Sequence, residues 1–176
     1  MTVPQKLETK RLFLRSLNKD DIKSIQNLIS NKETMENLYL NAKFKEIKNL
    51  FGCLINDPKS ITILVIQDKE TENFLGFCGL KDLEDTISAL TFYALLPKYR
   101  GYGYAIEFMK KLFEYAFIDL ELSKIIALIN PKHSKSWKVA ERIGMKYMGH
   151  VKYKNYNPDP MLFTIEKIEF KAQRAY

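Results

Sequence analysis

Leu12 and Leu14 alternate with Arg11, Phe13 and Arg15, and this period of two predicts a first strand. Asn18 can cap the helix that follows, with Asp20 and Asp21 in its first turn and Ile22, Ile25, Leu28 and Ile29 as its buried stripe. A second helical segment, about residues 42–56, repeats the spacing with Phe44, Ile47, Leu50, Phe51 and Leu54, and Pro58 ends it. The β-branched run 61–66 predicts a strand. A polar turn over 68–73 separates it from the next strand, 74–80, as in a meander. Another apolar run begins at Ala89 and is closed by Pro97.

Beyond it a helix is expected over about 102–118, with Ile106, Met109, Leu112, Phe113 and Phe117 on one stripe. Residues 124–129 read as a short buried strand, and 134–143 as a helix that Gly144 closes. Alternation from Lys146 to Tyr153 puts Tyr147, Gly149 and Val151 on one face. A loop over 155–160 then leads to a last strand, 161–170. This order predicts an α+β fold, with a mixed, mostly antiparallel central sheet flanked by helices. With no repeat, linker or low-complexity tract, residues 1–176 read as a single domain.

Composition narrows the classes. Hydrophobic residues make up 46% and charged residues 28%, which is globular rather than disordered. No apolar run approaches the ~20 residues of a membrane span, and the N-terminus lacks the apolar core of a signal peptide, so a cytoplasmic protein is expected. Cys53 and Cys78 lie in apolar stretches and read as free buried thiols. His133 and His150 show no ligand spacing, so no metal is expected. The net charge of +7 is scattered along the chain, which speaks for a solvated basic surface rather than a nucleic-acid face.

The chemistry concentrates at Arg100-Gly101-Tyr102-Gly103-Tyr104-Ala105. These glycines fall between a predicted strand and a predicted helix, where backbone N–H groups and the helix dipole can seat a phosphate or pyrophosphate. Lys98 and Arg100 add charge there. A dinucleotide fingerprint fails because Ile106 takes the third glycine position, and no Gly-Lys-Ser/Thr ending makes a P-loop. What remains is Arg/Gln-x-x-Gly-x-Gly/Ala, filled by Arg100, Gly103 and Ala105.

That pattern resembles the pyrophosphate motif of the GNAT superfamily of acetyl-CoA-dependent N-acetyltransferases. Residues 7–15, Asn18-Lys19-Asp20-Asp21, and 136–145 with Glu141, Gly144 and Met145 resemble the branch typified by the ribosomal-protein-alanine acetyltransferases. The likeness covers roughly residues 7–150. It implies that the strand before the loop splays from a parallel neighbour and admits the pantetheine arm. The main chain over 92–96, with Leu95 and Leu96 at its end, would bond that arm. Backbone amides of Arg100, Gly101, Tyr102, Gly103, Tyr104 and Ala105 would hold the pyrophosphate. By the same likeness Phe92, Tyr93 and Leu95 act through their main chain, and their side chains read as ordinary core.

The resemblance gives Ser136 the role of proton donor to the leaving sulfur; as a helix N-terminal hydroxyl it could equally bond the backbone. His133 stands where the family commonly has Asn, and can contact the cofactor or titrate. The Tyr acid of many relatives is replaced by Ala140, which leaves Ser136 or water. Glu107, in the first turn of the cofactor helix, complements its dipole and suits a nearby cation. Trp137 reads as core or rim packing, or as a stacking partner for the cofactor. Lys98, Lys135, Lys138 and Arg142 are candidates for the 3′-phosphate.

The implied activity is direct transfer of acetyl from acetyl-CoA to a primary amine, on a protein N-terminus or a small molecule, in a ternary complex of a monomer or homodimer. Glu84 and Asp85 do not stand out as bases. A peptide α-amine with pKa about 7.7–8.0 is roughly a tenth neutral at pH 7 and needs less help than one near ~10.4. Acceptor walls are sought at 31–49 and 155–160, with Tyr39, Phe44, Tyr153 and Tyr156. The alternatives are an acyl-CoA-binding module of the same fold without catalysis, and a basic nucleic-acid-binding domain.

Overall fold

A computed structural model describes residue 4, residues 6–31, residue 34, residues 61–83, residue 85, residues 87–152 and residues 158–174. The helix expected over 42–56, Cys53, Glu84 and the acceptor-wall aromatics Tyr39, Phe44, Tyr153 and Tyr156 lie outside the described residues. Alternation does as expected near the start: Leu12 and Leu14 are fully buried, while Phe13 and Arg15 between and after them are only partly so.

The strands are β1 (Lys6–Glu8), β2 (Leu12–Ser16), β3 (Ile61–Asp68), β4 (Phe74–Asp82), β5 (Ser88–Leu95), β6 (Lys124–Ile129), β7 (Lys146–His150) and β8 (Met161–Glu166). They form one sheet in the order β1-β2-β3-β4-β5-β6-β8-β7. Neighbours run antiparallel except β5 and β6, which are parallel. The helices are α1 (Asp21–Ile29), α2 (Tyr104–Ile118), α3 (Ser134–Arg142) and α4 (Lys167–Arg174).

Both faces of the sheet are covered. Leu64 and Ile66 of β3, with Cys78 and Leu80 of β4, meet Phe108, Met109, Leu112, Phe113 and Phe117 of α2. The alternate residues Ile63 and Phe77 meet Ile25, Leu28 and Ile29 of α1 on the opposite face. Each fully buried Leu or Phe contributes about 1.5–3 kcal/mol. Ile22 and Ile106, expected in the helix stripes, are only partly buried. Cys78 is a free, buried thiol. Among the described residues no helix is long and apolar enough to cross a membrane.

Local chemistry sets the helix ends. Asn18 Oδ1 accepts from the amides of Asp20 at 2.9 Å and Asp21 at 3.1 Å, while the Asp21 carboxylate accepts from the Asn18 amide at 2.9 Å. This reciprocal cap starts α1. Asp21 also takes two bonds from the Arg15 guanidinium, at 2.7 and 2.8 Å. At the end of α3, Gly144 has φ +88°, and Gly144 N and Met145 N donate back to Glu141 O and Ala140 O. That is a Schellman close, which a side chain would strain.

Two expectations are corrected. The last strand stops at Glu166, and residues expected to continue it form α4. A strand would turn Ile168 and Phe170 to the same side. The helix instead buries Phe170 against Phe113 and Phe117 and leaves Ile168 74% exposed. Glu169 secures the switch by accepting from the Glu166 amide at 3.0 Å and pairing with Lys146. In β7 a bulge breaks the alternation: Tyr147 pairs with Phe163 and Gly149 with Leu162, so these two face opposite sides. Val151 lies past the strand end.

The parallel pair opens. Ser88, Ala89 and Leu90 pair with Lys124, Ile125 and Ile126, and there the register between β5 and β6 ends. Residues 91–95 pair only with β4, and Ala127, Leu128 and Ile129 only with β8. Gly76 of β4 lets β5 lean away, since a Cβ there would fall 2.0 Å from Ala94 O.

Candidate functional site

The turn after β5 is shaped for main-chain donors. Pro97 to Tyr99 form one 3₁₀ turn, Arg100 is extended, and Gly101 and Gly103 take φ of +90° and +78°. Gly103 caps α2, and the first helical bond runs from Glu107 N to Gly103 O at 3.2 Å. The amides of the preceding first turn therefore have no helical carbonyl to reach. A Cβ at Gly101 would meet nothing within 4 Å, so the backbone stands open for a ligand to approach.

Glu107 ties this turn to the start of the sheet. Its carboxylate accepts from Thr9 Oγ1 at 2.6 Å, Arg11 N at 2.8 Å and Arg11 Nε at 2.7 Å. Arg11 Nη1 donates to Tyr102 O at 3.1 Å, and the guanidinium lies 4.3 Å from the centre of the Tyr104 ring. Burial pushes the Glu107 carboxyl up, but the bonds from Thr9 and Arg11 outweigh it and hold it below the ordinary value. The cation that Glu107 was expected to meet is thus Arg11, nearly a hundred residues away in sequence.

Where β5 and β6 part, a cavity of about 280 Å³ opens between the end of β5, the turn, α2 and α3. Leu95, Arg100, Gly101, Gly103, Tyr104, Ala105, His133 and Ser136 all line it. Leu96 and Tyr102 do not. Leu96 packs with the α1 cluster, and Tyr102 is 65% exposed on the outside of the turn. Lys135, Lys138 and Arg142 border the cavity from α3, whereas Lys98 sits over the Tyr99 ring. Trp137 packs against the main core.

The Arg100 side chain, expected to add charge at the phosphate seat, turns back instead. Its Nε donates to Leu95 O at 3.1 Å and its Nη2 to Thr34 Oγ1 at 3.3 Å. The guanidinium thereby braces the end of the parted strand. The Tyr93 side chain packs against the main core, as the resemblance implies, and it makes one polar contact besides. Its ring does pack edge-on to Phe108 at 5.4 Å, but its hydroxyl reaches the cavity and pairs with Ser136 Oγ at 3.3 Å. Nothing in the spacing of two residues 43 apart signals that pair. Burial raises the Tyr93 phenol above its ordinary value, against the Ser136 hydrogen bond and the Arg100 charge.

The donor set suits a polyanion with a slender tail: free amides at a helix N-terminus, three cations opposite, and a narrow gap beyond. The uncharacterized protein YkkB of Bacillus subtilis is 29% identical over 152 residues, covering 84% of this chain and 88% of that protein. Spermidine N(1)-acetyltransferase of Vibrio cholerae is 25% identical over 144 residues, covering 80% and 82%. The crystal structure of the Vibrio cholerae spermidine N-acetyltransferase with CoA and spermine superposes with a TM-score of 0.80 at 23% identity, covering 91% of this chain and 98% of that one. The acetyltransferase (GNAT) domain matches residues 11–146, and the chain belongs to the GNAT acetyltransferase family.

Proposed function

We propose that this chain is an acetyl-CoA-dependent N-acetyltransferase, one domain that transfers acetyl directly to a primary amine while both substrates are bound. The observation that carries this reading is the joining of three features in one cavity: the parted end of β5, the open amides of the glycine turn, and the Ser136 hydroxyl. The amides of residues 100–105 hold the pyrophosphate, and Lys135, Lys138 and Arg142 meet the remaining phosphate charge. Leu96 N donates to Leu75 O on the β4 side, so by strand alternation the main-chain groups of Tyr93 and the amide of Leu95, whose carbonyl already accepts from Arg100, face the gap. They are the groups to receive the pantetheine arm. Bound acetyl-CoA supplies an activated acyl carbon and a thiol leaving group. Ser136 protonates the departing sulfur, and His133 contacts the arm beside it.

The resemblance to ribosomal-protein acetyltransferases favours a protein N-terminal amine as acceptor. The relative named for spermidine acetylation makes polyamines the second class to test. Thiol release from acetyl-CoA is to be followed with N-terminal peptides, spermidine and simple amines. Turnover with at least one amine is expected. Thermal stabilisation by CoA without any thiol release would identify a binding module instead, and no response to CoA at millimolar concentration would remove the reading altogether.

A further inference from the structure

The parted half of β5 carries a hydroxyl to which acyl transfer assigns no task. Tyr93 is fixed at its ring by Phe108, and its Oη stands 3.3 Å from Ser136 Oγ, with both residues on the cavity wall. Either oxygen can donate in such a pair. When Tyr93 donates, the proton of Ser136 is left free to point into the cavity. An aliphatic hydroxyl is by itself a poor acid, and a phenol, even one that burial raises above its ordinary value, is a stronger one.

We propose that Tyr93 is a positioning residue that aims the Ser136 proton at the leaving sulfur and replaces it through the Tyr93–Ser136 hydrogen bond. The inference rests on the acetyltransferase reading. In the step, the amine nitrogen bonds to the acetyl carbon, and the C–S bond breaks with its electron pair on sulfur. Sulfur takes the Oγ proton of Ser136, and Oγ takes the Oη proton of Tyr93. The phenolate regains a proton from solvent once the thiol has left, and the surplus proton of the amine goes to solvent. Arg100, whose charge acts on Tyr93, offsets the transient phenolate. Between turnovers burial keeps the phenol protonated and ready to donate.

The test compares wild type, Tyr93→Phe, Ser136→Ala and the double variant by initial rates of thiol release, using an amine the wild type accepts. Phe keeps the ring on Phe108, and an unchanged Tm verifies that the fold is intact. Tyr93→Phe is expected to lower kcat about tenfold, with KM for acetyl-CoA and the calorimetric affinity for CoA unchanged. Ser136→Ala is expected to lower kcat about a hundredfold, and the double variant to be no slower than Ser136→Ala. Wild-type kcat in Tyr93→Phe, a change confined to CoA affinity, or losses that multiply in the double variant would each overturn the role of Tyr93 alone. A wild type that releases no thiol with any amine would overturn the acetyltransferase reading and this role with it.

Discussion

Strand β5 behaves as two different segments. Ala89 and Leu90 are bonded on both edges, to β4 and to β6, and Ala89 has no exposed surface. From Thr91 to Leu95 the strand keeps only its β4 partner, and at Tyr93, Ala94 and Leu95 it borders the cavity. The two halves share apolar, β-compatible composition, so residue type does not decide which half is a wall and which a site. Geometry decides it. Gly76 draws the upper half toward β4, Arg100 secures its last carbonyl, and the α2 turn, held by Glu107, fixes how far the gap extends.

The largest way to break this contrast is at Gly76. In Gly76→Ala the new Cβ falls onto Ala94 O at 2.0 Å, against backbone that cannot swing aside. A loss of about 3 kcal/mol in urea unfolding is expected, with weaker CoA binding by the folded fraction. Ala89→Leu overfills the zipped half instead. It should cost about 2 kcal/mol of stability and leave the CoA affinity of folded protein unchanged, and a joint collapse would show that the halves are not separable.

Glu107→Gln probes the clamp on the turn. About 1 kcal/mol is expected at pH 7, since Arg11 is partly open to solvent and screening weakens the pair. The carboxyl sits below its ordinary value in the fold, so its contribution is full above the unfolded pKa of about 4.3. It fades as pH falls through the lower folded value, and the gap between wild type and Glu107→Gln should close in stronger acid. Smallest of all, Arg142→Ala should weaken CoA binding about threefold, more at low salt, with stability changed by less than about 0.5 kcal/mol.

Much of the frame was legible in the chain. Strand β3 follows from a β-branched run and strands β4 to β6 from apolar runs, and the reciprocal cap at Asn18 and the close at Gly144 were written in local residues. Errors came where tertiary packing overrode a local pattern. Residues 161–170 read as one strand, but Phe170 packs against Phe113 and Phe117 from a helix. The bulge in β7 shows only against β8.

In the site, the glycine turn announced itself through its spacing, and Ser136 through the family resemblance alone. The partners of their neighbours did not. Glu107 with Arg11, Arg100 with Thr34 and Tyr93 with Ser136 are contacts between distant elements, and no periodicity encodes them.

Cys78 lies in β4 directly across from Tyr93, buried, with its thiol pushed far above the usual range by loss of water. A thiol in that state does not react while the strands are joined. Its alkylation rate is therefore a clock for how often the middle of the sheet comes apart, ticking opposite the parted half of β5.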